Sequence, residues 1–190
     1  MKDFITIAAE RYSVRKFSEK PIEQEKLDLV LKAGQLAPTA VNYQPQRILV
    51  LNNEAVLTKL EACTPYRFHA PLALLVCYDK KVCAQRKADG KYSGDIDASI
   101  VATHMLLEAT DIGLGATWVM HFDPEKITKT YDLPEQIVPV ALLVMGYPAQ
   151  DATPSNMHEK RAPIEQTVFY HDFSSWSAPE LDEAARANHR

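Results

Sequence analysis

Arg11, Ser13 and Arg15 alternate in the stretch RYSVRKF. Side chains of an extended backbone alternate with period two, so these three project to one side while Tyr12 and Val14 face the other. Two guanidiniums and a hydroxyl on one face form a receptor for a phosphate or for a polar carbonyl edge. The same spacing also suits a solvated basic face. A second polar group stands in PTAVNYQP, where Thr39, Asn42 and Gln44 lie between two prolines. Each amide offers a donor and an acceptor, which matches the edge of a heterocycle; an ordinary helix-to-strand loop has the same composition. Arg161, in EKRAP, stands alone.

Other chemistries lack their residues. There is no G-x-S-x-G and no H-E-x-x-H, so hydrolytic triads and zincins are not indicated. GLGATW follows a helical segment instead of joining strand to helix, the reverse of a dinucleotide fingerprint, and reads as a helix stop and tight turn at Gly113 and Gly115. His104 falls in the longest helical segment and reads as structural; His69 and His121 fall near loops. Cys63, Cys77 and Cys83 include no C-x-x-C pair, so no metal site is expected. Cys77 lies in an apolar run and reads as a small core residue.

Composition narrows what the basic cluster can meet. The chain has 190 residues, 46% hydrophobic and 24% charged, with 21 basic against 25 acidic side chains, a net −4. That is a soluble globular profile large enough to bury its own core. A duplex-binding domain is normally basic, so neither nucleic acid nor a membrane is the expected partner. Unpaired cysteines suit a reducing, cytoplasmic setting. No segment approaches the ~20 apolar residues of a membrane span, and the start has no long apolar signal region.

The elements that position these residues follow from periodicity. DFITIAAERY reads as a short amphipathic helix and KPIEQEKLDLVLKAGQLAP as a second, ended by Pro38. APTAVNYQPQ is a loop, RILVLN a buried strand, EAVLTKLEAC a helix and APLALLVCYD a second buried strand. DIDASIVATHMLLEATDIGLG is a long helix apolar around most of its circumference, which suits a central helix or one that meets a partner chain. GATWVM is extended, DPEKITKTYDL starts a helix at Asp123 and Pro124, and IVPVALLVMGYP is the last strand. Beyond Tyr147 the chain reads as an arm lying on a surface, with a short terminal helix in APELDEAARANHR. Helices and strands without regular βαβ alternation predict an α+β fold.

RYSVRKF, LAPTAVNYQPQRILVL, GLGATWVMHFDPEKI and VALLVMGYP with KRAPIEQTVFY resemble, in that order, the FMN-dependent nitroreductase family over about residues 5–170. The resemblance implies a nitroreductase-like α/β/α sandwich, its central sheet mostly antiparallel and flanked by helices, in an interlocked homodimer with FMN at the subunit interface. Residues 1–170 would form the FMN-binding domain and 171–190 a C-terminal extension. Arg11 and Ser13, with Tyr12 between them, would hold the FMN phosphate and ribityl end, joined by Arg161. Arg15 would reach the N1/O2 side of the flavin ring. Pro38, Thr39, Ala40, Asn42 and Gln44 would come from the other subunit. Trp118, Val119 and Met120 would offer backbone groups to the ring. Tyr43, Tyr66 or Phe122 would stack on a flat acceptor. The implied activity is ping-pong electron transfer from NAD(P)H through the flavin to a nitroaromatic, quinone or similar small molecule, with no side chain acting as acid, base or nucleophile. A flavin-binding module without NAD(P)H turnover is the alternative. Two departures stand out: Gln46 takes the place of an aromatic after the Q-P of the loop, and CTPYRFHAP lacks the family's mid-chain lysine.

Overall fold

In the computed structural model, residues 3–177 are described. The nine regular elements run α1 (Phe4–Glu10), α2 (Gln24–Leu36), β1 (Gln46–Leu51), α3 (Glu54–Leu60), β2 (Leu72–Asp79), α4 (Gly94–Asp111), β3 (Gly115–Val119), α5 (Pro124–Thr130) and β4 (Ile137–Gly146). Each coincides with a segment expected from the sequence. The loop after α2 additionally holds a single 3-10 turn, Ala40–Asn42. The terminal helix expected in APELDEAARANHR lies outside the described residues.

The four strands form one antiparallel sheet in the order β1-β2-β4-β3. Alternation along the central strands splits the core in two. Leu72, Leu74, Val76, Leu143 and Met145 face α2 and α4, while Ala73, Leu75, Cys77, Leu142 and Val144 face α3 and α5. Both faces are therefore covered, which is why β2 and β4 read as continuous apolar runs. Each fully buried leucine contributes about 1.5–3 kcal/mol. Register shifts between Val76 and Cys77, where the strand meets Pro139. Proline has no N–H for a ladder, and β3 pairs only with Leu142–Gly146, so Pro139 sits where β4 has a free edge. Burial pushes the Cys77 thiol up to about 12, as suits an inert core cysteine.

Capping follows the sequence signals. Asp123 accepts from the amides of Glu125 and Lys126 at the start of α5, and Pro124 occupies the first turn. Gly113 ends α4 with φ +77°, a conformation that favours glycine. Tyr147, just past β4, donates to Glu23 at 2.5 Å, and Lys20 lies 3.9 Å from its ring centroid. Lys26 Nζ donates to the Ile112 carbonyl at the C-terminal end of α4, a favourable place for a cation. The Tyr147 hydroxyl, then Lys20, hold Glu23 down to about 2. This brace is fully present above the ordinary 4.5 and is lost as pH falls through about 2.

Residues 3–155 belong to one compact unit, and 156–177 to a second. The second has a 3-10 turn at Ile164–Gln166 and a Phe169–Phe173 ring contact at 5.1 Å. Ile164, Val168, Tyr170, Phe173 and Trp176 are all exposed there.

Candidate active site

The RYSVRKF stretch lies along the outer edge of β3. Ser13 bridges Ala116 in parallel, and Val14 N–H donates to the Ala116 carbonyl at 3.2 Å. The Thr117 hydroxyl donates to the Val14 carbonyl. Val14 is 1% exposed, while Ser13 is half-buried and Arg15 exposed. Val14 thus turns inward, while Arg11, Tyr12 and Ser13 are all half-buried. Gly115 makes this docking possible: a Cβ there would stand 2.5 Å from Val14 Cγ2. The Arg15 guanidinium donates to the Ser13 carbonyl at 3.2 Å. Lys16 pairs with Asp151 at 2.6 Å, so it braces the chain.

Loop 38–45 is held by a dense set of hydrogen bonds. Val41, Asn42 and Gln44 have φ of 56°, 56° and 51°, a region that costs a non-glycine residue about 1–3 kcal/mol and persists only where neighbours enforce it. Several bonds do so. Asn42 N–H donates to the Thr39 carbonyl, Gln44 N–H to Thr39 Oγ1, and Tyr43 N–H to the Ala40 carbonyl. Asp79 N–H donates to the Pro45 carbonyl, and Arg47 donates to the carbonyls of Gln44 and Gln46. Ala40 N–H donates to Asp97 Oδ1 at 2.8 Å, and Ser93 Oγ donates to Asp97 Oδ2 at 2.7 Å. Asp97 lies in the first turn of α4 and is 1% exposed. Val41, Asn42, Tyr43 and Gln44 nevertheless point into solvent. Such a loop is organised before any ligand arrives. Sequence reasoning missed Asp97; the Ser93–Asp97 spacing of four at a helix start was its only signal.

Within the chain these two constellations lie at opposite edges of the sheet. Loop 38–45 joins the N-terminal end of α4 and the outer edge of the sheet at β1. Segment 11–15 joins the opposite edge at β3, beside the turn that ends α4. The 18 residues of α4 span about 27 Å at about 1.5 Å per residue.

A third group forms at the far end of β3. Thr64 Oγ1 donates to the His121 carbonyl at 2.7 Å, and Asp123 N–H donates to the Cys63 carbonyl. These bonds fasten loop 63–70 to the stretch after Val119. Tyr66 meets the His121 ring edge-on at 5.3 Å, and Met120 is exposed. Tyr66 and Tyr43 present free ring surface, whereas Phe122 is half-buried against the second core. Arg67 does not stand in for the missing lysine. Its buried guanidinium grips Glu54 at 2.8 Å and Glu61 at 2.7 Å, and holds the Glu54 carboxyl below its usual range. Arg161, in the second unit, donates to the carbonyls of His158 and Lys160. Among the described residues no group of three or more His, Cys, Asp or Glu converges as a metal site, and no helix is long and apolar enough to cross a membrane.

Comparison with known proteins agrees with the fold. The family model described as the nitroreductase family matches residues 8–68 and 64–147. A Methanothermobacter thermautotrophicus protein with a provisional NADH dehydrogenase/NAD(P)H nitroreductase name is 30% identical over 156 residues, covering 78% of this chain and 79% of its own. A Bacillus subtilis protein named FMN reductase [NAD(P)H] is 26% identical over 167 residues, covering 78% of this chain and 67% of its own. The crystal structure of a nitroreductase family protein from Clostridium difficile 630 superposes with a TM-score of 0.85 at 40% identity, over 90% of this chain and 99% of that one.

Proposed function

The chain belongs to the nitroreductase family, and from that premise we propose that it is an FMN-dependent NAD(P)H oxidoreductase, reducing a nitroaromatic, quinone or similar small acceptor as a homodimer with shared flavin sites. The observation that carries the shared site is the separation of its two halves by the length of α4. A two-fold axis across α4 sets the N-terminal end of one copy beside the C-terminal end of the other. Loop 38–45 of one protomer then faces segment 11–15 of its partner. The surface that such a dimer would bury is apolar. Phe4, Leu29, Leu36 and Ile96 are exposed, and no residue of α1 is buried within the protomer. A groove of about 490 Å³ runs among Phe4, Ile7, Leu29, Leu36, His104 and Leu107. On this reading residues 1–170 form the flavin-binding domain, 171–190 an extension, and the protein works in the cytoplasm.

The donor set fits the cofactor. Arg11 and the Ser13 hydroxyl supply charge-assisted and neutral bonds to a phosphate dianion. Asn42 and Gln44 supply amides, from a loop that needs no further ordering. FMN, when bound, supplies hydride acceptance and onward electron transfer. Arg15 would face the N1/O2 side of the ring and favour its negatively charged form. Backbone groups of Val119 and Met120 would orient the ring edge. Tyr43, Tyr66 and Phe122 offer stacking surface to a flat acceptor that enters after the donor has left, a ping-pong order. No side chain needs to act as acid, base or nucleophile.

Anaerobic titration of the purified protein tests this. The protein is expected to be yellow, to lose its flavin absorbance with one equivalent of NADH or NADPH and to regain it with a quinone. A yellow protein that neither nucleotide bleaches is a flavin carrier, and a colourless protein that takes up no FMN contradicts the reading.

A further inference from the structure

The His121 side chain has no task in the function proposed above, yet its surroundings hold it in place. Phe122 N–H donates to the Met120 carbonyl at 3.1 Å, an i to i+2 bond that closes a three-residue turn with His121 at its centre. Thr64, 2% exposed, donates its hydroxyl to the His121 carbonyl at 2.7 Å, and Tyr66 N–H donates to that same hydroxyl oxygen at 3.2 Å. Asp123 N–H donates to the Cys63 carbonyl at 3.0 Å. The turn is therefore tied to loop 63–70 on both sides of His121. The loop itself is constrained. Phe68 and His69 have φ of 55° and 53°, a conformation that persists in such residues only where neighbours enforce it. The buried Arg67 guanidinium anchors it to Glu54 and Glu61.

The imidazole is oriented as well. The His121 and Tyr66 rings stand at 83° with centroids 5.3 Å apart, the edge-to-face arrangement that aromatic pairs favour. Phe68 lies beside Tyr66 at 5.9 Å. Both His121 and Tyr66 are exposed. Among the described residues, the His121 imidazole has no hydrogen bond and no ion pair. Neutral or charged, it carries at least one N–H that the chain leaves unused. Met120, the residue before it, is the one whose backbone the reading above sets at the flavin ring edge. An aromatic surface and an oriented, unused donor thus stand together, one residue beyond that edge.

We propose that His121 determines acceptor specificity: its N–H donates to an oxygen of a quinone or nitro group whose ring lies against Tyr66. The proposal rests on the reading of the chain as a flavin oxidoreductase and adds the residue that selects oxygen-bearing acceptors. Stacking alone admits any flat ring, whereas a site built around a hydrogen bond discriminates against a molecule that lacks the matching atom. His121 binds and orients the acceptor and keeps its own proton, so no bond-making step is assigned to it.

Reoxidation of the reduced holoprotein reads this contact directly. The protein is titrated to full reduction with dithionite under anaerobic conditions, then mixed rapidly with para-benzoquinone or with ferrocenium, a one-electron acceptor that has no oxygen or nitrogen to accept a hydrogen bond. His121→Ala is expected to lower the second-order rate with the quinone about tenfold, the effect of one lost hydrogen bond. The ferrocenium rate and the FMN content are expected to stay unchanged. His121→Gln retains an N–H donor and is expected to recover most of the quinone rate. Rates that fall together for both acceptors, or a quinone rate that His121→Ala leaves unchanged, overturn the proposal. Because FMN content and the ferrocenium rate are read on the same samples, that result leaves the flavin reading intact, whereas a parent protein that holds no FMN defeats that reading and the proposal with it.

Discussion

A guanidinium serves a phosphate best when its own protein has not already neutralised it. The arginines of this chain divide on that point. Arg67 is locked between Glu54 and Glu61, Arg86 holds Asp89, and Arg47 binds carbonyls and lies 3.6 Å from Asp79. Among the described residues, the Arg11 guanidinium has neither a hydrogen bond nor an ion pair. Arg11→Ala is therefore expected to weaken FMN binding about ten- to a hundredfold, the worth of a charge-assisted bond, with no change in melting temperature. Fluorescence of released FMN measures it, and an unchanged dissociation constant removes Arg11 from the phosphate. The inward turn of Val14 was legible in the sequence because it depends only on the period of an extended backbone. The partners of Arg67 were not, since nothing local links a loop arginine to carboxylates 13 and 6 residues earlier.

At the scale of elements, the nine helices and strands of the described residues announced themselves through apolar period, caps or proline. The state of loop 38–45 did not. Three left-handed residues without a glycine are legible only once the bonds that enforce them are known, and one of those comes from Asp97, 57 residues from Ala40. Asp97→Ala frees the Ala40 amide, so the loop relaxes and its ordering cost returns at binding. FMN affinity is expected to fall about tenfold with helical circular dichroism retained. Asp97→Asn keeps an acceptor for Ala40 and is expected to bind FMN nearly as the parent does. Equal losses in both variants would assign Asp97 to charge instead of loop geometry. The apolar character of most of α4's circumference was also plain in the sequence, but not which of its faces the chain leaves uncovered. Met105 and Val101 are buried whereas Ile96 is exposed, a distinction set by where α2 and the sheet pack.

For the whole molecule, the geometry makes one demand. Segment 11–15 and loop 38–45 sit at opposite ends of an 18-residue helix, so a ligand that touches both needs two chains. The most direct measurement is flavin stoichiometry in a mixed dimer that joins an Arg11→Ala protomer to an Asp97→Ala protomer, isolated through two different affinity tags. A shared site pairs the unaltered clamp of one chain with the unaltered loop of the other, so the mixed dimer is expected to bind one FMN per dimer at parental affinity, although each parent homodimer binds weakly at both sites. If the mixed dimer binds no better than the two altered homodimers, each site lies within a single chain and the account is wrong.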